Sequence, residues 1–363
     1  MYKGFLVSLL FNYLCRAHAN RSCATLQPDP NQTKRNEKVL SQDNRLMPNS
    51  AIIIQIAVCL TWALGHVAVK SISDQISPTF HAGVRSLGAT ILLIAWIQYK
   101  RIPVWKADGT LVLGITAGVL FGIEFILLFI GITMTTAARG TLLIYSAPFF
   151  VALGAHFFVP NDKLNRNKVL GLSLAFGGLT LVFWESITQA STIAASNNPN
   201  LSGAVTSGLS SGLSSGLIGD LLCLSAAAMW GATTVLVKAS KLKNCPPEKN
   251  LLYQLGVSVP VLLGAAWLLG ESGVIRLTGQ LVAVLVFGIV IVASTSFLIW
   301  FWLVSRYRAT TLHAFTFLTP LFAVVLSALL LKESISGFLI AGSILIAAGI
   351  VLVNRAVTTG PKQ

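Results

Sequence analysis

The stretch GTLVLGITAGVLFGIEFILLFIGI, residues 109–132, carries one ionisable side chain, Glu124, in 24 positions. As a helix rising about 1.5 Å per residue, it is long enough to cross a hydrocarbon core about 30 Å thick. A helix at a water boundary shows a polar, charged face at a 3.6-residue period, and this stretch has none. Nine more runs of the same kind flank it, at 51–72, 79–99, 139–159, 168–186, 218–238, 251–270, 279–302, 311–331 and 336–354. A barrel would show short alternating segments instead, and Gly and Pro inside such runs are tolerated in membrane helices. The 363-residue chain is 54% apolar and 10% charged, against about 25% charged in soluble domains. Its mean hydropathy is +0.75. A water-soluble fold is excluded, because too little polar surface exists to cover such a core. The sequence reads as an all-α integral membrane protein of ten transmembrane helices.

The net charge of +14 would point to nucleic acid in a soluble chain. Here the basic residues sit in the gaps between apolar runs and report orientation instead. With the N-terminus inside, 21 of the 26 Lys and Arg fall in cytoplasmic segments; the five others are Lys70, Arg85, Arg139, Arg276 and Lys332. Both termini are therefore expected in the cytoplasm. Residues 1–50 read as an N-terminal cytoplasmic extension. Lys3, the apolar stretch from Phe5 to Cys15 and Ala17-His18-Ala19 imitate a signal peptide, while Met47 offers an alternative start just before the first span. Residues 187–217 lack any Lys, Arg, Asp or Glu and include SGLSSGLSSGL, so they read as a Ser/Gly-rich outer loop of linker type. Residues 355–363 form a cytoplasmic tail.

The two sides of that loop repeat each other. Trp62-Ala-Leu-Gly-His-Val-Ala-Val-Lys70 matches Trp230-Gly-Ala-Thr-Thr-Val-Leu-Val-Lys238, and a proline, Pro78 or Pro246, follows each Trp by 16 residues. Ala137 and Ala309 each lie 11 residues before Pro148 and Pro320, and Gly177 and Gly349 each lie 29 after them. The repeats are 51–186 and 218–354. Each holds five spans, an odd number, so the second begins on the opposite side of the membrane from the first. Two inverted five-helix repeats suit alternating access.

These features resemble the EamA-type carriers of the drug/metabolite transporter superfamily. The likeness rests on the two W-x7-K blocks, on Ser77-Pro78 followed by Arg85, and on the segments Ala309 to Glu333 and Gly337 to Val353. It covers residues 51–354. It implies a multi-pass carrier of the inner or plasma membrane that exports small metabolites, amino acids being one common class. Tyr253 stands where the second repeat would carry a counterpart of Arg85.

Ionisable groups inside a bilayer are costly, so each is a functional candidate. Glu124 lies about 12 Å from the outer end of its span, and Arg85, His66 and Tyr145 lie about 9 Å deep, so four helices contribute to one layer. Gly114, Gly118 and Gly122 form a small-residue stripe for close packing, about 200° around the helix from Glu124. Trp62, His66 and Lys70 share a face, as do His81 and Arg85. The candidate substrate-binding or coupling residues are Glu124, Arg85, His66, Tyr145 and Trp62. Arg85 suits a carboxylate, and Glu124 an ammonium group or a coupling proton. Pro148 and Pro320, near the middle of their spans, are the candidate hinges, each expected to free a carbonyl four residues earlier, at Ile144 and Thr316. Lys70 and Lys238 are expected to snorkel to the interfaces, and His156 and His313 to lie at the inner ends.

No His, Cys or acidic cluster has metal-ligand spacing and no glycine loop suits a nucleotide, so neither metal nor cofactor is expected. The reading is a secondary transporter that exports amino-acid-like or drug-like metabolites by alternating access, and not an enzyme. The alternatives are a membrane enzyme acting on lipid-linked substrates and a channel. The partners expected are a small-molecule substrate, the lipid bilayer, a coupling proton and a second copy of the chain in a homodimer; nucleic acid is not among them.

Overall fold

A computed structural model describes residues 47–105, 108–134, 137–160, 162–196, 205–331 and 337–355. The helices are α1 Asn49–Lys70, α2 Pro78–Lys100, α3 Leu111–Met134, α4 Ala137–Ile144, α5 Ala147–Phe158, α6 Arg166–Ser196 and α7 Val205–Ala239. After a 3₁₀ turn at Lys241–Asn244 come α8 Pro247–Leu268, α9 Gly279–Phe287, a π-helical segment Gly288–Ser296 and α10 Phe297–Arg306. The last are α11 Ala309–Phe315, α12 Leu318–Leu331 and α13 Gly337–Arg355. Among the described residues seven helical stretches are long and apolar enough to cross a membrane, from Asn49–Val69 to Gly279–Arg306. The other three expected spans also fall on helix, within α6, on α11 with α12, and on α13, where Ile340–Arg355 is apolar over a shorter length. The N-terminal extension to residue 46 and the tail from 356 lie outside the described residues.

Glycines decide which helices approach most closely. A Cβ at Gly114, Gly118 or Gly122 would meet Tyr253, Val257 and Val261 of α8, so the stripe on α3 is filled by side chains spaced four apart. The same device joins α6 to α13, where Gly171 and Gly178 meet Gly349 and Gly342 backbone. Small residues at such contacts bring whole backbones together, where packing rather than the hydrophobic effect holds membrane helices.

The connections at the two ends of the bundle are tied by polar contacts. At one end, the amides of Ile275 and Arg276 donate to the Gln75 carbonyl at 2.9 and 3.1 Å, and Arg276 pairs with Asp74 at 2.8 Å. Glu271 accepts from the Thr79 and Phe80 amides at 3.2 and 2.8 Å, capping α2 just after Pro78. At the other end, Asp108 pairs with Lys249 at 2.8 Å. Asp162 pairs with Lys168 at 2.7 Å, both nearly buried, and also accepts the Thr310 amide at 3.1 Å. Burial by itself pushes the Asp162 carboxyl up. The Lys168 ammonium and the hydrogen bonds outweigh it and hold the group below its ordinary value.

Three expectations change. The stretch read as a linker, 187–217, is helical to Ser196 and again from Val205, with 197–204 outside the described residues. Its repeat places Leu209, Leu213 and Leu217 four apart, which is also a helical stripe. The run at 279–302 is not one regular helix: Ser294 and Thr295 donate to carbonyls five residues back, Ile289 and Val290, within the π-helical segment. The prolines do not bend continuous helices. The chain breaks before them, between α4 and α5 and between α11 and α12, so Pro148 and Pro320 sit in the first turn of a new helix. There the missing N–H has no partner to lose. The Thr316 carbonyl, expected to be free, accepts the Thr319 amide at 3.0 Å.

Adjacent glycines on α6 supply a test of the packing. A Cβ at Gly178 would lie 2.7 Å from the Gly342 carbonyl oxygen and 2.8 Å from Leu345 Cβ, whereas one at Gly177 meets nothing within 4 Å. Gly178→Ala should destabilise the detergent-solubilised protein by about 1–3 kcal/mol. Gly177→Ala should leave the melting temperature unchanged or raised, since Ala is favoured over Gly in a helix by about 1 kcal/mol. Equal melting temperatures for the two variants would contradict the close α6–α13 contact.

Candidate functional site

The candidate residues come from helices that meet in the middle of the bundle. Trp62 of α1 lies under the rings of Trp230 of α7, Phe297 and Trp300 of α10, at centroid distances of 6.2, 5.9 and 5.3 Å, all edge-on. Its indole N–H donates to Ser296 Oγ at 2.9 Å, and that hydroxyl donates in turn to the Val292 carbonyl at 2.6 Å. The serine proton is thereby committed to the backbone and its lone pairs face Trp62, which fixes the indole plane. Trp62 and Trp230 are the matching tryptophans of the two sequence repeats, so the halves touch at equivalent residues.

Tyr145 closes the cluster from the C-terminal end of α4. Its ring meets Trp230 at 6.0 Å, and its hydroxyl makes a 3.2 Å hydrogen bond with His66 Nε2 one helical turn beyond Trp62. Arg85 approaches from α2. Its guanidinium lies 5.0 Å over the Phe125 ring, next to Glu124, and its Nε is buried without a hydrogen-bond partner. Gly288, the first residue of the π-helical segment, lies beside the arginine stem: a Cβ there would make van der Waals contact with Arg85 Cδ at 3.6 Å.

Glu124 is 7% exposed, and its Oε2 is buried with no hydrogen bond. Arg85 and Glu124 feel each other's charge without closing to an ion pair. A carboxylate and a guanidinium in one low-dielectric layer normally seek direct contact, because an uncompensated buried charge costs several kcal/mol. Here each keeps an unfilled polar atom, next to an aromatic wall formed by Phe121, Phe125 and Phe297. The geometry thus brings Glu124, Arg85, His66, Tyr145 and Trp62 to one region.

Two basic side chains are not where the sequence suggested. His313 is 0% exposed rather than interfacial, between Trp230 and Trp300 at 5.5 and 5.0 Å. Its Nδ1 faces the Ala309 carbonyl at 3.1 Å and its Nε2 faces Thr234 Oγ1 at 3.2 Å. Lys238 does not snorkel either: it is 4% exposed and held by contacts inside the protein. Counting residues from a span end cannot reveal burial by neighbouring helices. The Lys70 side chain lies outside the described residues. Trp300, Phe297 and Ser296 are site neighbours that the sequence reading did not name, while Trp230 entered it only as a repeat match and His313 only as an inner-end residue. The signal available for His313 was its place seven residues before Pro320, on the face of a broken helix. Among the described residues no three His, Cys, Asp or Glu side chains gather as a metal site.

Comparisons with known proteins agree with this architecture. A solved crystal structure, 18% identical in sequence, superposes with a TM-score of 0.65 over 84% of this chain and 98% of its own; it speaks for the fold alone. A Bacillus subtilis (strain 168) protein named as an uncharacterized transporter, YoaV, is 26% identical over 298 residues, 81% of this chain and 93% of that protein. A Salmonella typhimurium protein named as a probable amino-acid metabolite efflux pump is 25% identical over 304 residues, 82% of this chain and 92% of its own length. The pattern of the EamA-like transporter family matches residues 49–184 and again 217–355, well over half of the chain. With helices that span a membrane many times over and this match across both halves, the chain belongs to the EamA-like transporter family.

Proposed function

We propose that the chain is a secondary carrier that exports small metabolites, amino-acid-like or drug-like, by alternating access of two inverted five-helix repeats in the cell membrane. The carrying observation is the unpaired couple at its centre. Glu124 Oε2 and Arg85 Nε are both buried and lack partners, although each senses the other's charge. A substrate with an ammonium and a carboxylate would supply both missing partners. The aromatic rings around Trp62 would take its apolar part. His66 and Tyr145 line the same region, and a proton on Glu124 could stand in for the ammonium when the site is empty. The breaks ahead of Pro148 and Pro320 would serve as hinges, and a homodimer would leave this centre unchanged, since all its groups come from one chain. The name of the Salmonella typhimurium relative supports an amino-acid-like cargo and outward transport.

Glu124→Gln keeps the shape and removes the charge. A charge-assisted contact is worth about 1.5–3 kcal/mol, so affinity for ammonium-bearing substrates should fall by about 10- to 100-fold. Counterflow of a radiolabelled amino-acid panel in proteoliposomes measures this, and it separates a carrier from a channel or an enzyme. Uphill, pH-driven accumulation should be lost in the variant. Unchanged affinity and unchanged pH dependence would remove Glu124 from the mechanism.

Orientation is tested separately. With both termini in the cytoplasm, cysteines introduced at Ser196 and Ser211 should react with an impermeant thiol reagent in intact cells. Labelling only after lysis would reverse the topology.

A further inference from the structure

Two hydrogen bonds tie the broken helices to the rest of the bundle, one in each half. In the first half Tyr145, at the break after α4, meets His66 of α1 at 3.2 Å. In the second half His313 of α11, three residues before its break residue Thr316, meets Thr234 of α7 at 3.2 Å. His66 and Thr234 are equivalent positions, each four residues after the matching Trp62 or Trp230. Thus each bond fastens the half-helix that precedes a break to the first helix of its own half.

The breaks are built alike. At one, the amide and hydroxyl of Ser146 both donate to the Leu143 carbonyl, at 3.1 and 2.6 Å, and Phe149 N–H donates to the Ser146 carbonyl at 2.9 Å. At the other, the amide and hydroxyl of Thr316 donate to the His313 carbonyl at 3.0 and 2.7 Å, and Thr319 N–H donates to the Thr316 carbonyl at 3.0 Å. Each break thus keeps two of its carbonyls, Leu143 and Ser146 in one and His313 and Thr316 in the other, hydrogen-bonded within four residues, so α4 and α11 can pivot with these groups still paired. The direction of the second bond is also fixed. A carbonyl can only accept, so His313 Nδ1 donates to Ala309, and the neutral ring accepts the Thr234 hydroxyl proton at Nε2.

We propose that Thr234 and His313 form the inner latch of the carrier and His66 and Tyr145 the outer one. The proposal rests on the alternating-access reading above, in which α4 occupies the outer half of its span and α11 the inner half of its span. Releasing Tyr145 from His66 frees the outer half-helix; releasing His313 from Thr234 frees the inner one. All four are positioning residues for the conformational step, whatever else Tyr145 and His66 touch. The structure holds both bonds at once, so neither half-helix is released.

The test reads sidedness rather than activity. Reporter cysteines Thr141→Cys on α4 and Thr310→Cys on α11 are labelled with an impermeant thiol reagent, from outside in intact cells and from the cytoplasmic side in inside-out vesicles. Mass spectrometry assigns the labelled residue, so the native cysteines stay in place. Losing one hydrogen bond shifts a two-state balance by about two- to tenfold. Tyr145→Phe should speed outer labelling of Thr141→Cys by that factor and slow inner labelling of Thr310→Cys. Thr234→Val should do the reverse. His66→Ala and His313→Ala, which break the same bonds from the other side, should reproduce the two patterns. A merely structural loss moves both reporters together, so parallel changes, or none, overturn the latches. Counterflow by the wild-type protein with no reciprocal shift in the variants sinks the latches alone; no counterflow of any panel member sinks the carrier reading itself.

Discussion

In hydrocarbon a backbone N–H or C=O without a partner costs several kcal/mol, and no water is present to supply one. This constraint decides where the chain can stop being a regular helix. At Ser146 and Thr316 a hydroxyl and an amide fold back on the same carbonyl, and the next turn restarts at once. At Gly288–Ser296 the helix widens, and Ser294 and Thr295 add side-chain bonds to the loosened carbonyls. Cys59 contributes from α1, its thiol donating to the Phe315 carbonyl at 3.3 Å beside the second break. All three irregular places carry small hydroxyl residues, and all three lie around Trp62 and its ring neighbours. Irregular backbone at membrane depth is tolerated where protein surrounds it, which is also where a polar substrate can be received.

The charged layer follows from the same scarcity of water. Glu124 and Arg85 would gain most by touching, yet Arg85 lies over Phe125 and leaves Glu124 its free oxygen. The aromatic surface substitutes for part of the lost hydration of the guanidinium without neutralising the carboxylate. Gly288 lies against the arginine stem, where a Cβ would make ordinary contact with Arg85 Cδ at 3.6 Å. The widened turn bears on the site at both of its ends: its first residue, Gly288, packs beside the Arg85 stem and its last, Ser296, orients Trp62.

What the sequence disclosed follows from which features are local. Span length, the Gly114-Gly118-Gly122 stripe and the depth of Glu124 depend on residues within one helix, and each is legible as a pattern. The convergence of His66 with Tyr145 needed only depth and face. What stayed hidden depends on other helices. A π-helical segment has the same composition as an α-helix, and its hydroxyls at 294–296 look like ordinary membrane-helix residues. Proline marked the broken helices but not the break itself, which falls two residues before Pro148 at Ser146 and four before Pro320 at Thr316. His313 looked peripheral because distance from a span end says nothing about the tryptophans packed over it.

The two halves keep geometry more faithfully than chemistry. The histidine of the cross-helix bond sits on α1 in the first half and on the broken helix in the second, its partner changing from a tyrosine to a threonine, while the 3.2 Å separation persists. Gly177 and Gly349 match in the sequence repeat, yet Gly349 is pressed against α6 and Gly177 faces open space. Arg85 has Tyr253 as its counterpart, and that ring packs over Gly114 and meets Thr110 instead of a carboxylate. Glu124 and Arg85, both supplied by the first half, give the centre a polarity that the sequence repeat does not carry. Under the proposed function, a cargo bearing both charges would be held in one orientation by side chains of the first half alone.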